Sequence, residues 1–466
     1  MEQRWKVLLI TSVGLFMASL DLFIVNIAFP ALARDFQGTS LPSLSWVLNA
    51  YAIVFAALLV PAGRIADRVG RKRVFIAGLL LFAFASALCA IAPSIGVLIG
   101  ARVLQAAGGA MMLPTTLGLI LPAFPLEQRA LAIGVWSAVG GVAAALGPPI
   151  GGLLVQLSWR WIFVVNVPIG IVTAIVAARV LREVREPEDG RPDLLGAVEL
   201  ALGIGLLTLG IVKGPDWGWA DPRALAAFAA ALALVVAFVV RSAHHHAPVI
   251  ELPLLRVRSF ALANLAASVF FAGFGAMLLS GVLLLTEVWG YSALKAGLAL
   301  SPGPLMAAIF AVPSGRLGGR IGQRPVAAAG GLTFAASFAF ILATVGPSPE
   351  YASTFLPGFV LGGAGVGMVL GTLPAAATAA LPPARFATGT AVFGMARQLG
   401  AAIGVAVLVA LLNDTTGGDL LAGLRRGWWF SLAAGLGTAA LALAFGRVGA
   451  PAARPMPDLA TQRSTA

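Results

Sequence analysis

Fourteen apolar runs follow one another along the chain, near residues 7–29, 45–63, 74–93, 97–121, 130–154, 161–181, 194–213, 223–241, 259–286, 295–315, 325–346, 350–377, 386–412 and 427–447. About 20 apolar residues make a helix long enough to cross a bilayer, and a backbone in lipid must satisfy its own hydrogen bonds. Each run is therefore read as a membrane-spanning helix. Together they use most of the 466 residues, which leaves no room for a large soluble enzyme domain. Only 11% of residues are charged, against about 25% in soluble domains. The 55 Gly and 29 Pro suit membrane helices that pack closely and bend. Cys89 is the single cysteine, so neither an intramolecular disulfide nor a cysteine metal site is available. His244-His245-His246 falls in a connection with no other ligand cluster and reads as a solvated loop rather than a metal site.

Alternating the connections across the membrane assigns 22 of the 31 basic residues to one side and seven to the other, with Arg102 and Arg397 inside runs. The positive-inside rule then places both termini in the cytoplasm of a multi-pass protein of the cytoplasmic membrane. The same asymmetry explains the net charge of +12 without invoking nucleic acid. Arg4 and Lys6 before the apolar residues 7–20 imitate a secretory signal. Asp21 and Asn26 interrupt it, however, and removing this span would spoil the charge asymmetry, so an uncleaved first helix is expected.

The segment Gly63-Arg64-Ile65-Ala66-Asp67-Arg68-Val69-Gly70-Arg71-Lys72-Arg73 recurs 252 residues later as Gly315-Arg316-Leu317-Gly318-Gly319-Arg320-Ile321-Gly322-Gln323-Arg324. A weaker repeat relates residues 129–152 to the stretch from Arg385 onward. An all-α membrane fold is expected, with two pseudo-symmetric six-helix halves (1–185 and 251–450), two extra helices between them (186–250) and a cytoplasmic tail (451–466). Parallel halves of this kind form transporters whose midplane site opens alternately to either side. In the first copy Gly63 and Gly70 permit a tight turn, while Asp67 can cap a helix or pair with Arg64, Arg68 or Arg71. This reads as a structured latch. The second copy has Gly319 in place of Asp67, so the two are not chemically equivalent.

A lone ionised side chain at the bilayer centre costs about 2.5 to 3.5 kcal/mol on insertion scales, so charges inside spans need a role. Asp21 lies in the first span. Arg102 heads a face that includes Gln105, Gly109 and Met112, and Arg397 lies mid-span beside Gln398. Asp21 is either half of a buried pair with one of these arginines or a protonatable carboxylate, and a pair broken and remade by protonation satisfies both readings. Glu199 and Glu287 lie nearer span ends, where snorkelling explains them. In the fifth span, Gly147-Pro148-Pro149-Ile150-Gly151-Gly152 combines small residues with two prolines that remove backbone donors, a place for a hinge or seal. Asn26, Met112, Phe270, Phe274 and Met277 are candidate pocket residues, with ordinary packing or lipid contact the competing role for the aromatic and Met face.

Together these motifs resemble the fourteen-span drug:proton antiporters of the major facilitator superfamily. The resemblance extends from Leu20-Asp21-Leu22-Phe23-Ile24-Val25-Asn26-Ile27-Ala28-Phe29-Pro30 to Ala396-Arg397-Gln398-Leu399-Gly400. It takes in the loop at Gly63, Arg102-Val103-Leu104-Gln105, the glycine-proline motif, and Trp159-Arg160-Trp161-Ile162-Phe163 with Asn166-Val167-Pro168. Ala106, where glycine is frequent, and Phe23, where a small polar residue is usual, depart from the pattern. The resemblance implies outward pumping of lipophilic, often cationic drugs driven by protons, with no cofactor and the proton as coupling ion. It makes Asp21 the proton and substrate carboxylate, Arg102 its partner, Asp67 with Arg68 and Arg71 the cytoplasmic latch, and Gly147 to Gly152 the hinge. Export of a single metabolite, lipid or siderophore is the alternative. An ATP-driven pump and an intramembrane enzyme are disfavoured, since GxxxxGK[ST], HExxH and GxSxG are all absent from the sequence. Reporter fusions after Arg73, after Arg191 and at the C-terminus should all report cytoplasm; an external signal at any of them would overturn the span assignment.

Overall fold

The computed structural model describes residues 2–185, 192–379, 381, 385–413 and 419–445. The tail 451–466 and the start of the expected central insertion lie outside them. The first group of helices comprises α1 (Gln3–Asp35), α2 (Leu41–Val69), α3 (Arg71–Ala90), α4 (Ile95–Ala123), α5 (Leu126–Leu157), α6 (Trp161–Val164) and α7 (Asn166–Val180). Then come α8 (Leu194–Trp217) and α9 (Pro222–His244). The last group comprises α10 (Arg258–Leu283), α11 (Ala293–Ala299), α12 (Pro302–Ile321), α13 (Gln323–Thr344), α14 (Leu356–Thr378), α15 (Phe386–Asn413) and α16 (Leu420–Leu443). Local chemistry sets several of the starts. The side chains of Ser40, Ser94, Asp193, Asp221, Ser292 and Asp419 each accept a hydrogen bond from a backbone N–H in the first turn of the helix that follows.

Among the described residues, 13 spans are long and apolar enough to cross a membrane, with α6–α7 and α11–α12 each forming one. The fourteenth expected run is α16, a helix of 24 residues that begins at Leu420 rather than 427. Arg425 and Arg426 lower its apolar character. Arg425 is accommodated because its guanidinium donates to the carbonyls of Leu342 (2.7 Å) and Val345 (3.4 Å) at the end of α13, where free carbonyls favour a cation.

The two outer groups pack internally in corresponding ways: α3 on α4 as α13 on α14, α1 on α5 as α10 on α15, and α3 on α7 as α13 on α16. They meet along two seams, α2 against α15 and α5 against α11 and α12. The central pair covers only the first, with α8 touching both α2 and α15 and α9 packing on α8. Ala201 and Ile204 of α8 join Trp46, Ala52 and Ile53 of α2 and Ala402 of α15 in one apolar cluster.

Successive spans alternate in direction, so α1 begins and α16 ends on the same side, called here the terminal side. On the opposite side the α5 seam is closed, and added β-carbons at Gly152 and Gly297 would collide with the backbones of Ala293 and Pro148. Toward the terminal side α5 stands clear. Leu131, Ile133, Gly134, Val135, Ser137 and Ala138 are exposed around most of its circumference, and Val312, Leu317 and Ile321 are exposed on α12. The bundle is closed on one side and parted on the other.

The sequence repeat has a structural counterpart. Gly70 (φ +126°) and Gly322 (φ +95°) each end one helix and begin the next, a conformation costly for residues with a β-carbon. Gly319 has open space around it and an ordinary helical backbone. Gly322→Ala should therefore lower the thermal midpoint in detergent by the equivalent of about 1–2 kcal/mol, whereas Gly319→Ala should leave it unchanged or raise it. Equal effects would contradict the conformational explanation.

Candidate proton-coupling and substrate site

Asp21, Arg102 and Gln105 come together in one buried network, with relative exposures of 0%, 1% and 0%. An Arg102 guanidinium nitrogen donates to Asp21 Oδ2 (2.5 Å) and to Gln105 Oε1 (2.6 Å). Its Nε donates to the Val47 carbonyl (3.1 Å), which ties α4 to α2. Gln105 Nε2 donates to Asp21 Oδ1 (2.9 Å) and to Ser86 Oγ (2.8 Å) of α3. Asn166 Nδ2 of α7 reaches Asp21 Oδ1 at 3.4 Å. The guanidinium carbon lies 4.1 Å from the Tyr51 ring centroid and 5.9 Å from that of Phe163, a cation–π arrangement that further compensates its charge.

Of the two arginines inside spans, Arg102 is the partner of Asp21. As a carboxylate Asp21 accepts from several donors, one of them a cation, and the pair is closed off from the surface. Protonating the carboxylate would remove the negative charge and leave Arg102 buried, an expensive condition that favours rearrangement. Ser86, Tyr51 and the Val47 carbonyl carry no sequence signal, being a hydroxyl, a ring and a backbone group in apolar runs.

Arg397 is not part of this network. It lies on α15 with its guanidinium carbon 5.6 Å from the Phe271 ring centroid. Two candidate pocket residues are packed inside single helix groups in this structure. Met112 is fully buried among Tyr51, Phe75 and Phe82 within the first group, and Phe270 is fully buried against Phe271 and Phe334. Met277 is 7% exposed and packs near Gly362 of α14. Asn26 and Phe274 keep partial exposure, although Asn26 Nδ2 is engaged by the Leu22 carbonyl (2.8 Å).

The latch loop is ordered by several bonds. Arg71 donates to Asp67 Oδ1 (2.7 Å) and to the Gly118 carbonyl of α4 (3.0 Å), and Gly63 sits against Pro114 of the same helix. The carboxylate that caps α3 is Glu183, whose Oε1 accepts from the Lys72 backbone N–H (3.0 Å). Arg68 is exposed. Arg64 instead faces Glu251 (3.5 Å), and that same carboxylate oxygen accepts from Arg385 (2.6 Å) just before α15. Glu251 thereby joins the two outer groups through the strap after α9. A single acid in a connection is too common to single out in sequence. Among the described residues, Arg316, Arg320 and Arg324 of the second copy make no ion pair, in keeping with the missing acid at Gly319.

The glycine-proline motif lies on the closed side. α5 continues through Pro148 and Pro149, with Gly147 against Phe23, Gly151 against Ile24 and Gly152 against α11. One short segment thus touches α1 of its own group and a helix of the other. The absent β-carbon at Gly147 makes room for the bulky Phe23.

Removing one partner of a buried pair typically costs about 3–5 kcal/mol because the other charge is stranded. Asp21→Leu and Arg102→Leu should each destabilise by about that much, and the double variant by clearly less than the sum. Thermal unfolding of the four proteins measures the coupling; additive losses would mean that the pair is energetically silent.

Residues 11–285 and 265–463 match the family model of the Major Facilitator Superfamily. The chain is 33% identical over 438 residues to a protein named as a probable actinorhodin transporter of Streptomyces coelicolor, an alignment covering 91% of this chain and 75% of that one. It is 34% identical over 408 residues to the multidrug resistance protein Stp of Mycobacterium tuberculosis, covering 87% and 75%. It is 34% identical over 421 residues to the tetracenomycin C resistance and export protein of Streptomyces glaucescens, covering 89% and 77%. Among solved structures, crystal structures of a bacterial homolog to the human lysosomal transporter Spinster, inward-facing and either unoccupied or occupied, share the fold. Their TM-scores are 0.67 and 0.69 at 17% identity, over 96% of this chain and 98% or 96% of theirs. Fold, family match and relatives agree: the chain belongs to the major facilitator superfamily and to its drug-efflux type.

Proposed function

We propose that the protein exports lipophilic small molecules across the cytoplasmic membrane by proton antiport, alternating access between its two sides. The observation that carries this reading is a fully buried carboxylate inside a span, Asp21, held by Arg102 in a fold whose two halves meet along two seams. The relatives named for antibiotic export and multidrug resistance support it. With both termini in the cytoplasm, the parted side faces inward, so drug enters from the cytoplasm while Asp21 is ionised and paired. A proton arriving from outside neutralises Asp21, releases Arg102 and resets the bundle. One charge falling through 100 mV yields about 2.3 kcal/mol, enough to bias such a cycle. The Asp67–Arg71 latch and the Glu251 bridge restrain the cytoplasmic side, and Gly147 to Gly152 seal the outer one.

The expectation of a cationic drug bound by Asp21 comes from the resemblance and from the need of a carboxylate inside a span for a proton or a matching cation. In this state the carboxylate is already occupied by Arg102, Gln105 and Asn166, so we assign Asp21 to the proton. Relatives named after one antibiotic favour a narrow substrate range as the second reading.

Inverted membrane vesicles with an imposed proton gradient provide the test. The wild-type protein should accumulate lipophilic substrates, an uncoupler should abolish accumulation, and Asp21→Asn should insert normally yet lose gradient-driven transport. An Asp21→Asn protein that still pumps against a gradient would remove Asp21 from coupling.

A further inference from the structure

Arg397 is a second cation inside a span, and among the described residues no acid matches it. It lies 11 residues into the 28-residue α15, near mid-depth. On this helix Gly400 and Gly404 face the Ser268 and Ala272 carbonyls of α10, while Gly394 faces Leu59 of α2. Arg397 falls between these two faces of α15, with its guanidinium beside Phe271 of α10. It is partly accessible there.

Among the described residues no carboxylate forms an ion pair with Arg397, and this includes Glu199 of α8, the helix packed on α15, one of whose oxygens is buried without a partner. Between residues 252 and 413 the only acids are Glu287 and Glu350, both on the side opposite the termini, about half a span from Arg397. Asp21 is engaged by Arg102. Among the described residues Arg397 has no ion pair, and its neighbour of note is the Phe271 ring. The adjacent Gln398 repeats the pattern: it is 5% exposed, and its amide nitrogen is buried without an acceptor. Gln398 Nε2 is thus a buried donor without an oxygen partner, where buried donors are ordinarily satisfied, and Arg397 is a partly accessible cation with no anion beside it. A carboxylate supplies what a guanidinium and an amide require together. The buried Phe271 beside Arg397 is in edge-on contact with Phe274 of α10, whose partly exposed ring offers aromatic surface.

We infer that Arg397 and Gln398 form an anion-binding subsite, and that the substrates are lipophilic aromatic acids whose carboxylate or phenolate meets Arg397 while the ring system packs against Phe271 and Phe274. This inference rests on the exporter reading above and reverses the substrate charge that the family resemblance implies. It also divides the work between the two arginines inside spans, with Arg102 answering to Asp21 and the proton and Arg397 to the cargo.

Three probes that share one ring system provide the test: pyrenebutyrate, its uncharged amide and the corresponding trimethylammonium compound. Their binding to the purified protein is followed by fluorescence anisotropy. The wild type should bind the acid at least tenfold more tightly than the amide or the cation. Arg397→Gln should abolish that preference while leaving amide binding within twofold, and Arg397→Lys should retain part of it. Gln398→Leu, which keeps the arginine, should weaken acid binding more than amide binding and serves if Arg397→Gln does not fold. A wild type that binds acid and amide equally, or that prefers the cation, overturns the inference, as does a preference that survives Arg397→Gln. Wild-type vesicles that accumulate none of the three probes under a proton gradient would instead count against the exporter reading, while the binding comparison still decides the subsite.

Discussion

A charge inside a bilayer has no water to fall back on, and the ion pair between Asp21 and Arg102 is how the first half of this chain meets that constraint. Five of its helices contribute to the solution. α1 carries the carboxylate, α4 the guanidinium and Gln105, α2 a carbonyl and the Tyr51 face, α3 the Ser86 hydroxyl, and α7 the amide of Asn166. Because each helix is tied to the same few atoms, a change in the charge of Asp21 is felt by all of them. A buried pair seldom adds net stability over an apolar core; in the antiport proposed above its value lies in having two alternatives, paired and protonated, that differ by one proton.

The rest of the architecture gives that local event something to move. Glycines allow helix backbones to approach closely at the α5 seam, through Gly152 and Gly297, and between α10 and α15 within the second half, through Gly400 and Gly404, and the β-carbon of any other residue there would prevent it. The central helices α8 and α9 brace one seam only, so relative motion of the halves is less hindered along α5, α11 and α12. On the terminal side the restraints are polar and breakable, namely Asp67 with Arg71 and Glu251 between Arg64 and Arg385. On the other side they are contacts between backbones.

Much of this is legible in the sequence because lipid penalises charge and exposed backbone so heavily. The apolar runs give the spans, the spacing of Arg102 and Gln105 puts them on one face, and Gly70 and Gly322 mark equivalent turns in the two copies of the repeat. What stays hidden follows from the same physics. In a chain this apolar, a helix face toward lipid looks like a face toward the core, so Met112 and Phe270 could not be told from cavity residues. The choice between Arg102 and Arg397 as partner depends on tertiary packing, and the bonds of Arg425 to the end of α13 explain why α16 begins before its apolar run. Glu251 is indistinguishable in sequence from any loop acid.

In this scheme protonation of Asp21 sets which side of the bundle is open. The distance across the parted seam reads that out most directly, measured between spin labels at positions 131 and 317 on α5 and α12 as a function of pH in a Cys89→Ala background. A population with shorter separation at high pH should give way to the wide separation as pH falls, because protonation is what resets the bundle to the parted state, and Asp21→Asn should lose this pH response. A distance distribution that ignores pH in the otherwise wild-type protein, or an unchanged response in Asp21→Asn, would contradict the scheme.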